Sequence, residues 1–267
     1  MPQAPSIDRI SPLSADEAKW TELRKIEWTD QDGKQRVWEA AARKTRKSTG
    51  IDAVAIAPIL HHPSKPVSTM IILQYRPPVE AFCVEFPAGL IDEGETPEEA
   101  AVRELKEETG YEGKASKWSQ PRAVVATWHG GNEYEGTWIL TLALSQVVDC
   151  SPTIVSDPGL TTANMQMVTV EVHLGENDEQ PEQHLEAGEH IERIIVPLSE
   201  LYDKLQALSK EKGKIVDARL YHWALGLHWS QRLIEYAAQG YINDIYVAFV
   251  AWGYKFGGDA LRAQKAK

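Results

Sequence analysis

The sequence predicts an α/β fold with a small antiparallel β-sheet domain ahead of it. Three observations carry this. Asp52–Leu60 (DAVAIAPIL) and Thr69–Tyr75 (TMIILQY) are apolar runs of strand length, separated by the turn-forming HHPSKPVS. Three later segments, Thr96–Gly110, Leu198–Glu211 and Asp217–Gln231, carry helical spacing or helical caps. Asp32-Gly33, between IEWTDQ and KQRVWEA, is a hairpin signal.

In chain order, residues 1–15 are rich in Pro and Ser and read as a loose tail. From Ala18 to Arg46 the pattern gives two or three strands, a sheet too small to bury much alone. It holds Trp20, Trp28 and Trp38. Trp28 reads as a sheet-face residue. His61 and His62 lie in the Pro/Ser turn with no carboxylate near in sequence, so they are expected at the solvent surface. Arg76 ends the second core strand and is held by Pro77 and Pro78, a rigidly placed cation.

Thr96 is a good helix N-cap, and Glu99 completes a capping box. Pro97 suits the first helical position, and Gly110 stops the helix. Ala100, Ala101 and Leu105 form an apolar stripe. Glu104, Glu107 and Glu108 fall at i, i+3 and i+4 and share one face. Like charges at that spacing destabilise a helix by roughly 0.2–0.5 kcal/mol per pair. A hard divalent cation turns that repulsion into binding, since Mg²⁺ prefers carboxylate oxygens. Arg103 stands beside the cluster and is suited to orient it by bidentate hydrogen bonds.

The stretch Gly89–Tyr111 resembles the Nudix box: Gly, five residues, Glu, seven residues, then Arg-Glu-apolar-x-Glu-Glu-x-Gly-apolar. Gly89, Glu95, Arg103, Glu104, Leu105, Glu107, Glu108, Gly110 and Tyr111 occupy its nine fixed positions. The flanking QYRPP and EFPAGL, the Gly-Lys-x-Arg-x-Trp-Glu segment and Val216–Arg219 (VDAR) are similar to the ADP-ribose (ADP-sugar) pyrophosphatase branch of that superfamily. The resemblance implies an α/β/α sandwich around a mixed sheet and hydrolysis of ADP-ribose to AMP and ribose 5-phosphate. It implies Mg²⁺, or Mn²⁺, held by Glu104, Glu107, Glu108, Glu85 and the backbone carbonyl of Ala88. Arg103 supports these ligands, and Glu189 is the loop glutamate that serves as base or positions water. Trp20 and Trp38 sandwich adenine, with Trp20 supplied by the other subunit of a homodimer. Arg43 and Arg76 contact the diphosphate, and Asp157 and Gly159 lie near the terminal ribose. A different dinucleotide or ADP-sugar substrate, a non-catalytic nucleotide-sensing module, and a calcium loop are the rival readings. DEGE lacks the ligand pattern of an EF-hand.

The remaining chain bounds the partners. A net charge of −11 argues against a nucleic-acid backbone or an anionic membrane. Cys83 and Cys150 form neither a disulfide framework nor a zinc spacing. No signal-peptide pattern opens the sequence, and IYVAFVAWGY near its end is too short to span a bilayer. A cytoplasmic location, with the nucleus open, is expected.

Residues 1–50 are expected as the N-terminal β domain, 51–230 as the hydrolase domain and 231–267 as a tail of unassigned role. Residues 114–146 have no counterpart in the resemblance and no clear periodicity. A surface lid, a partner-binding loop and translated intron sequence all remain open for them. Met165–Val172 and Ile194–Pro197 are expected strands, and the acidic Glu176–His190 a mobile loop.

Overall fold

A computed structural model describes residues 4–112, 124–128, 136–140, 149–176 and 180–238. Its main sheet is mixed and nine-stranded. The sheet is built on β3 (Ala53–His61) and β4 (Ser68–Arg76), which follow the antiparallel hairpin β1 (Thr21–Thr29) and β2 (Gln35–Arg43). Next come β5 (Ala81–Glu85), β6 (Ala88–Leu90) and helix α1 (Pro97–Thr109). A backbone pair, β7 (Val124–Trp128) and β8 (Gly136–Leu140), precedes β9 (Asp149–Cys150), β10 (Ile154–Val155) and β11 (Asn164–His173). The chain continues through β12 (Ile191–Pro197), α2 (Leu201–Leu208), β13 (Lys214–Val216) and α3 (Ala218–Ala238).

The central order is β10-β11-β3-β4-β5-β13, with β11 parallel to β3 and β13 parallel to β5. β3 and β4 pair only at Ile59–Leu60 against Ser68–Thr69. Beyond that they part, so β6 pairs with Ala53–Ala55 of β3 while β12 pairs along β4. This splay lets β6, with the start of the glycine loop, run beside the middle of the sheet.

Two apolar clusters sit on opposite faces. One joins Ile56, Met70, Val168 and Val170 to Ala100, Ala101 and Leu105 of α1. The other joins Ile71, Leu73, Val84 and Val196 to Leu201, Leu205 and Leu220 of α2 and α3. These are the three layers of the expected α/β/α sandwich. Fully burying a Leu or Ile contributes about 1.5–3 kcal/mol, so the two faces together supply most of the driving force.

The α1 caps form as the sequence predicts. Thr96 and Glu99 make the reciprocal capping box, and Gly110 closes the helix at φ 77°. Gly110 is needed twice over. Its φ is left-handed, and a Cβ there would stand 2.3 Å from the Glu182 carbonyl oxygen.

The N-terminal segment forms two strands, within the two or three expected, since Asp30 accepts the Asp32 and Lys34 amides and turns the chain once. Other elements differ from expectation. The first amphipathic helix is shorter than Leu198–Glu211, because Leu198–Glu200 is a 3₁₀ turn and Lys210 and Glu211 bond three residues back. The next helix runs past Gln231 to Ala238, into the expected tail. His61 and His62 are half-buried rather than solvent-exposed. His61 stacks on His173 of the neighbouring strand, and its Nε2 lies 3.8 Å from Glu171 Oε1, a carboxylate distant in sequence. Within residues 114–146 the described backbone is the β7–β8 ladder; the rest of that segment, and residues 239–267 of the tail, lie outside the described residues.

The hairpin is tied to the main sheet through the turn that precedes β11. Ala41 donates to the Leu160 carbonyl at 2.9 Å and accepts from Thr162 N–H at 2.9 Å. Immediately after it, Arg46 grips Asp52 bidentately at 2.8 Å and 2.8 Å, and Asp52 also accepts the Asn164 amide at 3.1 Å. Burial pushes the Asp52 carboxyl up, but Arg46 and the Asn164 amide outweigh it and leave the group below its usual value. A depressed pKa contributes stability above the unfolded value, near 3.9, and loses it as pH falls through the folded one. Asp52→Asn is therefore expected to destabilise the fold by about 3 kcal/mol at pH 7. In urea titrations the gap from wild type should narrow at pH 3; an equal gap at both pH values would refute the ionic role.

Candidate active site

The box helix and the strand ends converge on a cleft of about 620 Å³. Its wall includes Arg43 from the end of β2, Arg76 from the end of β4, Glu85 from β5 and Glu104 from α1. Ala88, Arg103 and Glu189 also face it.

Arg103 organises the acidic wall. Its Nε and Nη2 each lie 2.9 Å from a Glu95 oxygen, a bidentate pair. Nη1 donates to Glu104 Oε1 at 2.8 Å and Glu107 Oε2 at 3.1 Å, and Nη2 also donates to the Leu90 carbonyl at 2.9 Å. One guanidinium thus fixes the loop, β6 and two helix carboxylates. Glu95 holds Arg103 above the ordinary arginine value, against the opposing effect of burial.

Gly89 makes room for Glu104. A Cβ at Gly89 would lie 1.9–2.3 Å from the Glu104 carboxylate atoms. The glycine is required by close approach, not by its backbone angle.

Glu108 is buried behind this wall, and its Oε2 accepts the Ala88 N–H at 3.0 Å. Burial pushes its carboxyl up to about 8; the Ala88 amide opposes this, while the charges of Glu104, Glu189 and Glu85 add to it. Glu104 is raised by burial against the pull of Arg103. Glu85 is raised by burial against Arg76, which contacts its Oε1 at 2.7 Å.

These carboxylates offer hard oxygen donors, crowded and short of positive charge. That donor chemistry fits a divalent cation such as Mg²⁺ or Mn²⁺. Among the described residues no three acidic or imidazole groups already stand together as a ligand set. Arg103 holds Glu104 and Glu107, Arg76 holds Glu85, and the Ala88 amide holds Glu108.

The Glu189 loop is fastened to α1. Gln183 donates to the Glu108 carbonyl at 2.6 Å, His184 N–H to the Glu107 carbonyl at 2.8 Å, and Arg193 to the Thr109 carbonyl at 2.5 Å. These are the orphan carbonyls of the helix C-terminus. The described part of the expected mobile loop is therefore pinned to the box helix. Glu189 Oε2 accepts the Glu186 amide at 3.1 Å, and both side chains reach the cleft wall.

The family model of the NUDIX domain matches residues 65–223. The chain belongs to the Nudix family. A Nudix hydrolase of Schizosaccharomyces pombe is 38% identical over 227 residues, covering 85% of this chain and 94% of that one. The Saccharomyces cerevisiae protein named ADP-ribose pyrophosphatase is 38% identical over 213 residues, 79% of this chain and 78% of its own. The Mus musculus ADP-sugar pyrophosphatase is 34% identical over 212 residues, 79% of this chain and 83% of its own.

Six site residues named from the Nudix resemblance are not part of the cleft wall: Glu107 and Glu108, which share the α1 face with Glu104, and four from the N-terminal hairpin and the turn it meets. Trp20 precedes β1 and is 69% exposed. Trp38, on β2, is 49% exposed and donates its indole N–H to the Gly159 carbonyl at 3.0 Å. Asp157 and Gly159 form the turn that meets β2, where the Asp157 carbonyl accepts the Thr161 amide at 2.9 Å. None of the four is part of the cleft wall in this single chain.

Two pairs escaped the sequence reading. Glu95 was visible only as a box position, yet it is the bidentate partner of Arg103. Arg219, inside the matched VDAR, lines the cleft with Met165 and pairs with Asp217. No spacing rule marks an arginine more than a hundred residues from the box as its neighbour.

Gly89→Ala is expected to leave the fold standing, because the obstructed atoms are the tip of a side chain. It should displace Glu104 and lower kcat on the order of 100-fold. An unchanged kcat with an unchanged melting temperature would show that Glu104 does not need its observed place.

Proposed function

We propose that this Nudix protein hydrolyses the diphosphate of ADP-ribose, and of related ADP-sugars, to AMP and the sugar phosphate. The observation that carries the reading is the cleft itself, whose wall holds the desolvated carboxylates of Glu104 from α1 and Glu85 from β5 together with the guanidinium groups of Arg43 and Arg76. The names of the mouse and yeast relatives support the ADP-sugar part of it.

Glu104, Glu107, Glu108, Glu85 and the Ala88 carbonyl are the groups that would hold the metal. Bound Mg²⁺, or Mn²⁺, would neutralise diphosphate charge and lower the pKa of a water. Arg43 and Arg76 bind and orient phosphate oxygens, with Arg76 fixed by Glu85. Glu189 accepts or orients the proton of the attacking water, on a loop held to the box helix. Arg103 touches no substrate in this scheme. It keeps Glu104 and Glu107 aimed.

Adenine recognition is assigned to Trp38 and Trp20, and the terminal ribose to Asp157 and Gly159. The hairpin exposes Leu23 at 91% and Val37 on one face, while the half-exposed Trp38 lies on the other. The Leu23 face of a two-stranded ribbon fits burial against a second copy, and Trp20 of that copy is the assigned partner of Trp38. The reading needs neither nucleic acid nor membrane as partner, and no described helix is long and apolar enough to cross a bilayer. It places the enzyme in the cytoplasm or nucleus.

Chromatographic assay of ADP-ribose with Mg²⁺ should show AMP, and EDTA should abolish it. Glu108→Gln should lower kcat on the order of 1,000-fold while circular dichroism is preserved. Near-normal turnover by that variant would remove the metal role.

Trp38→Ala should raise KM about 10-fold for ADP-ribose but not for a pyrimidine diphosphate sugar, since stacking on the base is lost. Light scattering of the wild type should give twice the chain mass. Equal KM losses for both bases, or a monomer, would sink the shared adenine site.

A further inference from the structure

Arg219 opens α3 and faces the same cleft as Arg43 and Arg76. Its orientation is fixed from two sides. Asp217 accepts Nε at 2.8 Å and Nη2 at 2.6 Å, a bidentate pair. Asp217 is itself fixed, since its Oδ1 takes the Arg219 amide at 2.9 Å and its own N–H donates to Val84 of β5 at 2.9 Å. The guanidinium is therefore held by the start of α3 and the strand that carries Glu85.

The remaining edge is used poorly. Nη1 points at the Met165 sulfur at 2.8 Å, and Met165 is also part of the cleft wall. A thioether is a weak acceptor, whereas a charged N–H prefers an anionic oxygen. Arg219 and Arg76 both line the cleft beside Glu85, and of the two Arg76 alone contacts that carboxylate, at 2.7 Å.

We propose that Arg219 is a substrate-positioning residue whose Nη1 edge leaves Met165 to bind a diphosphate oxygen of the nucleotide. This rests on the reading that the cleft takes an ADP-sugar. Because Asp217 already balances the charge, the contribution is a directed hydrogen bond rather than a free positive charge. It belongs to ground-state binding, so it acts on KM and Kd more than on kcat. Lysine cannot replace it, as an ammonium has no fork to hold in Asp217.

The test is calorimetric binding of ADP-ribose, ADP and AMP to wild type, Arg219→Gln and Arg219→Lys, with EDTA present, beside hydrolysis of ADP-ribose with Mg²⁺. Both variants should weaken ADP-ribose and ADP by about 10- to 100-fold and AMP by much less, with KM raised and kcat within a few-fold. Loss confined to ADP-ribose would place the contact on the sugar and overturn the assignment. So would equal loss for all three ligands, or a lowered melting temperature with unchanged binding, which is the mark of a structural pair. A Mg²⁺ requirement that shifts while metal-free binding stays constant would show action through Glu85 instead, and also overturns it. If the Gln variant does not fold, the Lys variant carries the comparison. A folded wild type that neither binds nor hydrolyses ADP-ribose would defeat the substrate reading. Wild-type activity with unaltered variants would defeat the Arg219 assignment alone.

Discussion

The grip of Arg103 on Glu95, Glu104, Glu107 and the Leu90 carbonyl is the constraint on which the site depends. Without it, a glycine loop and a helix face with several carboxylates would have no reason to hold one geometry. The bidentate pair with Glu95 sets the plane of the guanidinium, and the plane then sets where Glu104 and Glu107 can sit. Arg103 is half-buried, so its hydrogen bonds are less screened than those of a surface ion pair. Gly89 completes the arrangement from the strand side by leaving room for the Glu104 carboxylate.

That frame holds groups that electrostatics alone would disperse. Glu104, Glu108 and Glu85 are all raised by burial, and the charges around them add to the strain at Glu108. The fold tolerates this because each acid has one fixed partner: a guanidinium for Glu104 and Glu85, a backbone amide for Glu108. None of those partners supplies enough positive charge to cancel the set. A helix face chosen only for stability would place apolar or neutral groups there, as replacing buried ionic groups commonly stabilises a protein by 1–4 kcal/mol. In their donor chemistry the retained acids fit a cationic ligand, such as the divalent metals that Nudix hydrolases generally need.

What was legible in the sequence was local. Thr96, Glu99 and Gly110 act within one or two helical turns of themselves, and all three cap as their positions predict. The apolar runs of β3 and β4 declare their burial by composition. What was illegible was long-range pairing. Asp52 reads as the first residue of a strand, yet it joins Arg46 to Asn164, a residue 112 positions away. His61 looked like a turn residue because Glu171 and His173 approach it only through the parallel register of β11 on β3. Arg219 and Met165, 54 positions apart, likewise meet only in the folded chain. The helix ends were misjudged where tertiary contact decided them: a 3₁₀ turn begins the short α2, and α3 continues past the residues that resemble the family.

The hairpin shows how such long-range pairing can couple regions that the chain keeps apart. β2 is joined to the Asp157–Thr162 turn by the Ala41 backbone and by the Trp38 indole on Gly159. The next cation along β2 is Arg43, already in the cleft wall, and just beyond it Arg46 is locked to Asp52 at the foot of β3. A base held by Trp38 would therefore rest on the same ribbon that places a guanidinium against the diphosphate. Any tilt of the ribbon would move both together, because Arg46 and the Ala41 bridge pin its inner end while Leu23 and Val37 leave one face uncovered. Covering that face with a second copy would stiffen the ribbon, and through Arg43 would stiffen the cleft as well.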